Sequence, residues 1–145
     1  MPDVIANSWE ETLIADVRAN GGRPSSGPLA GHPLLLMWSI GAKSGQERRS
    51  ILTYSRDGGD YVVAGTKSGA PVDPFWVANL EAQPRARVEA ANETFEVEAT
   101  VYRDGSERDR LWAEHVAALP HFGKYEAQVA GHRTIPVVRL HRVAG

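Results

Sequence analysis

Two short turns combine glycine with lysine in a way that could bind an anion. The first, GAKSG, covers residues 41–45, the second, GTKSGAP, covers residues 65–71, and each follows an apolar run. Glycine lets backbone N–H groups approach an anion closely, and Lys43 and Lys67 add positive charge. Arg48 follows the first turn and adds a third cation. Two separated lysines suit an extended polyanion better than a compact phosphate.

Neither turn matches a common phosphate-binding motif. The P-loop pattern requires glycine directly before lysine, whereas Ala42 separates Gly41 from Lys43. The dinucleotide fingerprint G-x-G-x-x-G is absent from the chain. An ordinary hairpin turn with solvated basic residues is therefore an alternative to an anion site, since glycine-rich turns are common.

The sequence offers no metal-binding or nucleophilic motif. It contains no cysteine, and its five histidines lack the H-E-x-x-H spacing of a zinc site. Neither Ser44 nor Ser68 stands in a G-x-S-x-G nucleophile elbow. A net charge of −2 at pH 7 argues against a nucleic-acid-binding surface, which is usually strongly basic. We therefore expect no metal, no nucleophilic triad and no nucleic-acid partner.

The elements that would position these turns are predicted to be short strands with a few helices. Alternating apolar residues and turn signals predict six strands, and strands joined by tight turns must pair antiparallel. The strands are expected at residues 34–40, 48–56, 61–66, 85–91, 94–103 and 134–143, and the helices at 8–20, 75–83 and 106–119, with 121–133 irregular.

Such a set of elements predicts a mainly β fold with helices. Six antiparallel strands bury their apolar faces best by curling into a barrel, with helices over its openings. The 145 residues suit a single domain, 1–145, that begins with a helix. No apolar run reaches membrane-spanning length, and residues 1–12 lack a signal-peptide pattern, so a cytoplasmic protein without an integral membrane segment is expected.

Longer segments of the chain resemble the deazaflavin-dependent nitroreductase family. The resemblance is carried by PLLLMWSIGAKSGQERRSILTY, YVVAGTKSGAPVDPFWVANLEAQPRARVE, YEAQ and HRTIPVVRL. The combination of G-x-K-S-G, K-[SG]-G-x-P and P-x-W-x-x-N-L is far more specific than any one of these pieces. The resemblance implies an FMN-binding-like split β-barrel that binds coenzyme F420, an 8-hydroxy-5-deazaflavin with a ribityl phosphate and a polyglutamate tail.

The resemblance also implies which residues hold this coenzyme. The first turn and its flank would bind the phosphate through backbone amides, and Lys67 would bind another part of the anionic groups. The implied phosphate-side residues are Lys43, Ser44, Gly45 and Arg48, and the residues that would border the ring are Trp38, Ile51, Ala64, Thr66, Pro74 and Trp76. Because Arg48 and Arg49 alternate along the strand, Arg48 is expected to face the coenzyme and Arg49 to face away.

Tyr125 and three departures from the family pattern concern the substrate. Tyr125 is a candidate proton donor or substrate contact, or else a tyrosine that only packs against the barrel. Ile51 replaces a proline common in the family, and Phe122 and Val77 stand where many members carry tyrosine. The loss of two hydroxyl groups suggests a less polar pocket, suited to enones or quinones better than to nitroaromatic compounds.

The expected activity is therefore hydride transfer from reduced deazaflavin to an electrophilic small molecule, namely an enone, a quinone or a nitroaromatic compound. Two alternatives stay open at this point: an FMN-dependent split-barrel oxidoreductase, and a non-catalytic carrier that only binds the deazaflavin. A homodimer is possible, because split barrels often pair through a sheet face.

Overall fold

A curled antiparallel sheet is the framework of the fold. The computed structural model describes residues 8–25 and 30–143; residues 1–7, which belong to the stretch searched for a targeting signal, lie outside this range. Seven strands occur in the described part: β1 Leu34–Ile40, β2 Glu47–Thr53, β3 Ser55–Asp57, β4 Asp60–Ala64, β5 Arg85–Ala90, β6 Glu93–Tyr102 and β7 Val137–Arg142. Their order is β2-β1-β5-β6-β7-β4-β3, and all neighbours are antiparallel. The antiparallel pairing is confirmed, and the expected count of six strands is one too low.

The additional strand arises because the chain changes partners at Tyr54. The stretch 48–56, expected as one strand, is divided by Tyr54 into β2 and β3. β2 pairs with β1 at one edge of the sheet, and β3 pairs with β4 at the other edge. A single residue thus joins the two edges, so the sheet must curl until they approach each other. The Tyr54 N–H donates outside both ladders, to the Pro33 carbonyl at 3.3 Å.

The helices agree with the sequence except near the C-terminus. Within the described residues the α-helices are α1 Ser8–Ala19, α2 Phe75–Ala82, α3 Ser106–Ala118 and α4 Gly123–Val129, with 3₁₀ turns at Lys67–Gly69 and Pro120–Phe122. α4 corrects the expectation of an irregular stretch, because seven residues are too few to show a helical period clearly. None of these helices is long and apolar enough to cross a lipid bilayer.

Strands β4 and β7 separate two apolar clusters. Val63 and Val138 lie in a cluster inside the curl, whereas their neighbours Val62 and Val137 lie in a second cluster outside it. This alternation is the period of two that a strand imposes. Helix α2 packs into the inner cluster, and α3 and α4 pack into the outer one. Helices α3 and α4 therefore cover the outer face of the sheet beside the end of β4.

A buried histidine links α3 to β3. His115 is fully buried, and its Nδ1 is 2.6 Å from the Ser55 hydroxyl. Its Nε2 has no hydrogen-bond partner in the described part of the chain. Burial, helped by nearby His121, lowers the pKa of His115 from 6.5 to about 4. The imidazole is therefore neutral in the folded protein at physiological pH.

The neutral state of His115 predicts a specific loss of stability in acid. The unfolded chain takes up this proton near pH 6.5 and the folded chain only near pH 4, so stability is full above pH 6.5 and falls between these values. The pKa difference corresponds to about 3 kcal/mol. We expect His115→Gln to lose less unfolding free energy than wild type between pH 7 and pH 4.5, measured by urea denaturation.

The exposed His132 supplies the control for this measurement. His132→Gln should keep the wild-type pH dependence, because it removes an exposed side chain and leaves the buried His115 in place. Identical pH dependence in His115→Gln and wild type would contradict the assignment of a neutral buried imidazole.

Candidate active site

A cleft of about 390 Å³ opens beside the edge strand β2. Its walls come from β2, from the end of β4 with the following turn, from the start of α2, and from the 3₁₀ turn before α4. The lining residues are Glu10, Leu34, Arg49, Ser50, Ile51, Leu52, Thr53, Ala64, Thr66, Lys67, Pro74, Phe75, Trp76, His121, Phe122 and Tyr125. The lining is mainly apolar, with cations, hydroxyl groups and one imidazole placed around it.

The structure brings the residues expected around the ring together in this cleft, with one exception. The cleft contains the expected ring residues Ile51, Ala64, Thr66, Pro74 and Trp76, the expected anion-binding residue Lys67, and Tyr125. The exception is Trp38, which is half-buried outside the cleft with the Arg87 guanidinium 4.2 Å from its ring centroid. Residues from four separate parts of the chain thus form one site.

The residues expected on the phosphate side lie outside the cleft, at the far end of β2. Lys43, Ser44, Gly45 and Arg48 are exposed and do not line it. At the rise of a β-strand, the six residues from Ile51 back to Gly45 span about 20 Å. The two groups of expected residues are therefore connected by β2 and separated by most of its length.

The first turn is held in place by a buried amide from α2. Asn79 Oδ1 accepts the Ala42 N–H at 2.9 Å, and Asn79 Nδ2 donates to the Ser39 hydroxyl at 3.4 Å. Asn79 is the asparagine of the P-x-W-x-x-N-L segment, and it is buried. Helix α2 therefore positions both the cleft, through its first turn, and the glycine turn, through this side chain.

Within the first turn, the backbone leaves two amides available. The Gly45 N–H donates to the Gly41 carbonyl at 2.9 Å, and Gly45 has a φ of +69°, which favours glycine. The Lys43 and Ser44 amides have no partner in the described part of the chain. Consecutive free amides beside a lysine can bind an anion.

Arg49 lines the cleft, and Arg48 does not, which reverses the expected orientation of the pair. The two arginines do alternate, but residues two apart share a strand face, so Arg49 lies on the face of Ile51. Since Ile51 was expected at the ring, the spacing of two residues already indicated that Arg49 would face the same way. Arg49 forms ion pairs with Glu10 at 3.1 Å and Glu11 at 2.9 Å, both from α1.

The three cations named from the sequence differ from most other basic residues in their pairing. Lys43, Arg48 and Lys67 have no carboxylate within ion-pair distance in the described part of the chain, whereas most arginines do. All three are also exposed. Their charges are thus available to an anionic ligand.

Aromatic side chains form one wall of the cleft. Phe122 is buried and meets the half-buried Tyr125 edge-on, with ring centroids 5.5 Å apart. His121, which the sequence did not suggest, also lines the cleft, and burial, with His32 and Lys124 nearby, lowers its pKa. Val77 is fully buried in the inner cluster and does not line the cleft, so its expected influence on the substrate side is wrong.

These side chains fit a flat ring system that carries an anionic extension. Trp76, Pro74 and Ile51 offer apolar surface to a ring, and Thr66 and Lys67 stand at its border. The buried Ser50 hydroxyl in the same lining has no hydrogen-bond partner in the described chain. Since buried polar groups are normally paired, this hydroxyl is suited to a polar group of a ligand.

Comparisons with known proteins agree with this chemistry. The model of the F420H(2)-dependent quinone reductase family matches residues 9–142. An F420H(2)-dependent quinone reductase of Mycobacterium tuberculosis (strain ATCC 25618 / H37Rv) is 35% identical over 112 residues, which are 76% of this chain and 74% of that protein.

Two solved structures are similar as well. The structure of an F420-H2 dependent reductase (FDR-A) is 30% identical with a TM-score of 0.67, covering 75% of this chain and 94% of its own. A structure described as a domain-swapped dimer is 26% identical with a TM-score of 0.68, covering 94% of this chain and 99% of its own.

These findings settle the class of the protein and its coenzyme. It is an oxidoreductase, and its cofactor is F420, so the FMN-dependent and non-catalytic alternatives are set aside. The expected dependence on F420 is confirmed, whereas the nitroreductase name is not supported. With a match that spans almost its whole length, the chain belongs to the F420H(2)-dependent quinone reductase family.

Proposed function

We propose that this protein transfers a hydride from reduced F420 to a quinone or an enone bound in the cleft beside β2. The observation that carries the proposal is the gathering of Tyr125 and six of the expected coenzyme residues around one apolar cleft. When bound, F420 supplies the hydride through its deazaflavin ring. The protein's own residues bind, orient and shield the reacting molecules.

Apolar side chains would hold the ring and exclude water. Trp76 and Pro74 at the start of α2, with Ile51 on β2, provide the contact surface. Thr66 and Lys67 would fix one side of the coenzyme through a hydroxyl group and an ammonium group. Arg49 lies in the same cleft, but its pairing with Glu10 and Glu11 makes it less available to an anion.

The anionic tail would follow β2 towards the first turn. Lys43 and Arg48 lie towards that end without carboxylate partners in the described chain, and Arg48, on the face of β2 opposite the cleft, would reach the tail around the strand edge. The separation from Ile51 along β2, about 10 Å to Arg48 and about 20 Å to Gly45, is too long for one phosphate and suits an extended polyanion. The free amides of Lys43 and Ser44 would add hydrogen bonds at the end of the tail.

The aromatic wall supports a weakly polar electrophile as substrate. Phe122 presents a hydrocarbon ring to the cleft, at a position where the family resemblance implies a tyrosine hydroxyl group. Reduction of a quinone or enone adds a hydride and one proton, so a proton donor is needed beside the acceptor oxygen. Tyr125 is the lining phenol and is proposed for this role, either as the donor or as a hydrogen bond that orients the substrate.

A homodimer is proposed as well. Its support is the similar structure described as a domain-swapped dimer. Sedimentation velocity measures the mass in solution and decides between monomer and dimer.

Removing a free cation should weaken coenzyme binding without slowing the reaction at saturation. We expect Lys43→Ala, Arg48→Ala and Lys67→Ala each to raise the Kd of F420 by about 10- to 150-fold, the value of one hydrogen bond to a charged group. Since such contacts act equally in the ground state and the transition state, kcat should change little. Fluorescence titration at low salt measures the Kd, and added salt should weaken wild-type binding.

The control for the cations is Arg56→Ala, which removes an exposed arginine that also lacks a carboxylate partner in the described chain and lies outside the cleft. It should keep wild-type affinity. Unchanged affinity in Lys43→Ala and Arg48→Ala would show that the first turn is an ordinary hairpin. Unchanged affinity in Lys67→Ala would show that the coenzyme does not bind in this cleft.

Tyr125→Phe should affect the substrate and spare the coenzyme. We expect kcat/KM for a quinone to fall by about 100- to 10,000-fold if the phenol donates the proton, and by less if it only orients the substrate. The Kd of F420 should stay at the wild-type value. Tyr54→Phe, at a half-buried tyrosine outside the cleft, is the matched control. Wild-type turnover in Tyr125→Phe would show that this tyrosine only packs.

The weakly polar wall predicts an order of substrates. At a fixed concentration of reduced F420, we expect a higher kcat/KM for a small quinone or an activated enone than for a simple nitroaromatic compound. Reoxidation of the coenzyme, followed by its absorbance, gives the three values under the same conditions. The reverse order would refute the argument from Phe122.

A further inference from the structure

One largely buried arginine binds three carbonyls of the second glycine turn. Arg133 lies between α4 and β7, and its guanidinium donates to the carbonyls of Gly65 at 2.9 Å, Thr66 at 2.9 Å and Ala70 at 3.1 Å. It also forms an ion pair with Asp73 at 2.7 Å. All four partners belong to the segment that leads from β4 into α2.

This arrangement fills most of the hydrogen-bonding capacity of the guanidinium. The Arg133 side chain is only 10% exposed, and its contacts use three different nitrogen atoms. A buried cation that lost these acceptors would be left without solvation, at a high free-energy cost. The contacts are therefore mutually dependent, and the segment 65–73 has a strong reason to keep this one conformation.

The contact with the Thr66 carbonyl orients the next amide. A trans peptide directs its C=O and N–H in opposite directions, so the Lys67 N–H points away from Arg133. Lys67 itself has a φ of +46°, an unfavourable conformation for a residue with a side chain. Contacts from outside the turn are needed to maintain such a conformation.

The turn is also packed against α4. A Cβ added to Gly69 would lie 2.0 Å from the Gln128 side-chain oxygen, so the backbone of the turn approaches this helix closely. Arg133 follows the same helix, and its own N–H donates to the Val129 carbonyl at 3.1 Å. Helix α4 also carries Tyr125, so the same helix contacts the lysine turn and contributes to the aromatic wall.

We propose that Arg133 is the positioning residue that keeps the Gly65–Asp73 segment, and with it Thr66 and Lys67, ready to bind the anionic coenzyme. The proposal rests on the proposed placement of F420 at this turn. Arg133 itself does not line the cleft, so it acts through the backbone that it holds.

The test compares Arg133→Gln and Arg133→Lys with wild type. In the coenzyme-free protein, we expect the amides of residues 65–70 to exchange hydrogen at least about tenfold faster in Arg133→Gln, because the turn opens locally. If one-tenth of the molecules then keep the competent turn, the Kd of F420 rises by about tenfold. Arg133→Lys keeps the charge and loses the planar fork, so it should show the same two changes.

Two other arginines separate positioning from general stability. Arg103→Gln also removes a contact to Asp73, found at 2.9 Å, but leaves the carbonyls of the turn bound. Arg108→Gln removes a buried guanidinium that donates to the Ile135 carbonyl at 2.9 and 3.0 Å and, in the described chain, to no carbonyl of residues 65–70. Both controls should keep wild-type coenzyme affinity and wild-type exchange at residues 65–70, even where the melting temperature falls.

The outcomes distinguish this proposal from the assignment of the coenzyme site. Wild-type exchange at residues 65–70 in Arg133→Gln and Arg133→Lys would overturn the positioning role, whatever the affinity. Faster exchange with unchanged affinity, while Lys67→Ala binds F420 weakly, would also overturn it, because the turn would not need to be ordered in advance. Unchanged affinity in Lys67→Ala as well would show that the site assignment has failed. If Arg133→Gln does not fold, Arg133→Lys decides.

Discussion

The change of strand partners at Tyr54 is the constraint on which the rest of the structure depends. Because this single residue connects the two edge strands, the sheet cannot remain open and flat. Its curl creates an inside, which α2 and the strands fill with apolar side chains, and an outside, which α3 and α4 cover beside β3, β4 and β7. The cleft lies where this outer cover ends and the face of β2 begins.

Two polar side chains, one buried and one largely buried, hold the two glycine turns in place. Asn79 holds the first glycine turn from α2, and Arg133 holds the second from the segment that follows α4. Both use their hydrogen bonds on backbone groups, which are present whatever side chains the turns carry. The lysine side chains can thus stay free of internal partners.

The sequence predicted the parts of this protein that local patterns determine. Alternation and turn residues predicted most strands and three helices, and the motif segments predicted six lining residues and Tyr125. The sequence was insufficient where residues far apart in the chain determine a contact. Arg133 meets Gly65 and Thr66 across more than sixty positions, a contact that no local pattern reveals. The orientation of Arg49 was misassigned although its spacing of two from Ile51 already placed both residues on one face of β2.

The left-handed backbone of Lys67 sets stability against ligand binding at this position. Glycine adopts a φ of +46° readily, whereas for lysine this backbone conformation costs about 1–2 kcal/mol of folding free energy. Glycine there would relieve the backbone but would take away the ammonium group at the border of the cleft. The turn is therefore a place where resistance to unfolding and recognition of an anion favour different amino acids. Selection for thermal stability alone would favour glycine over Lys67 at this position.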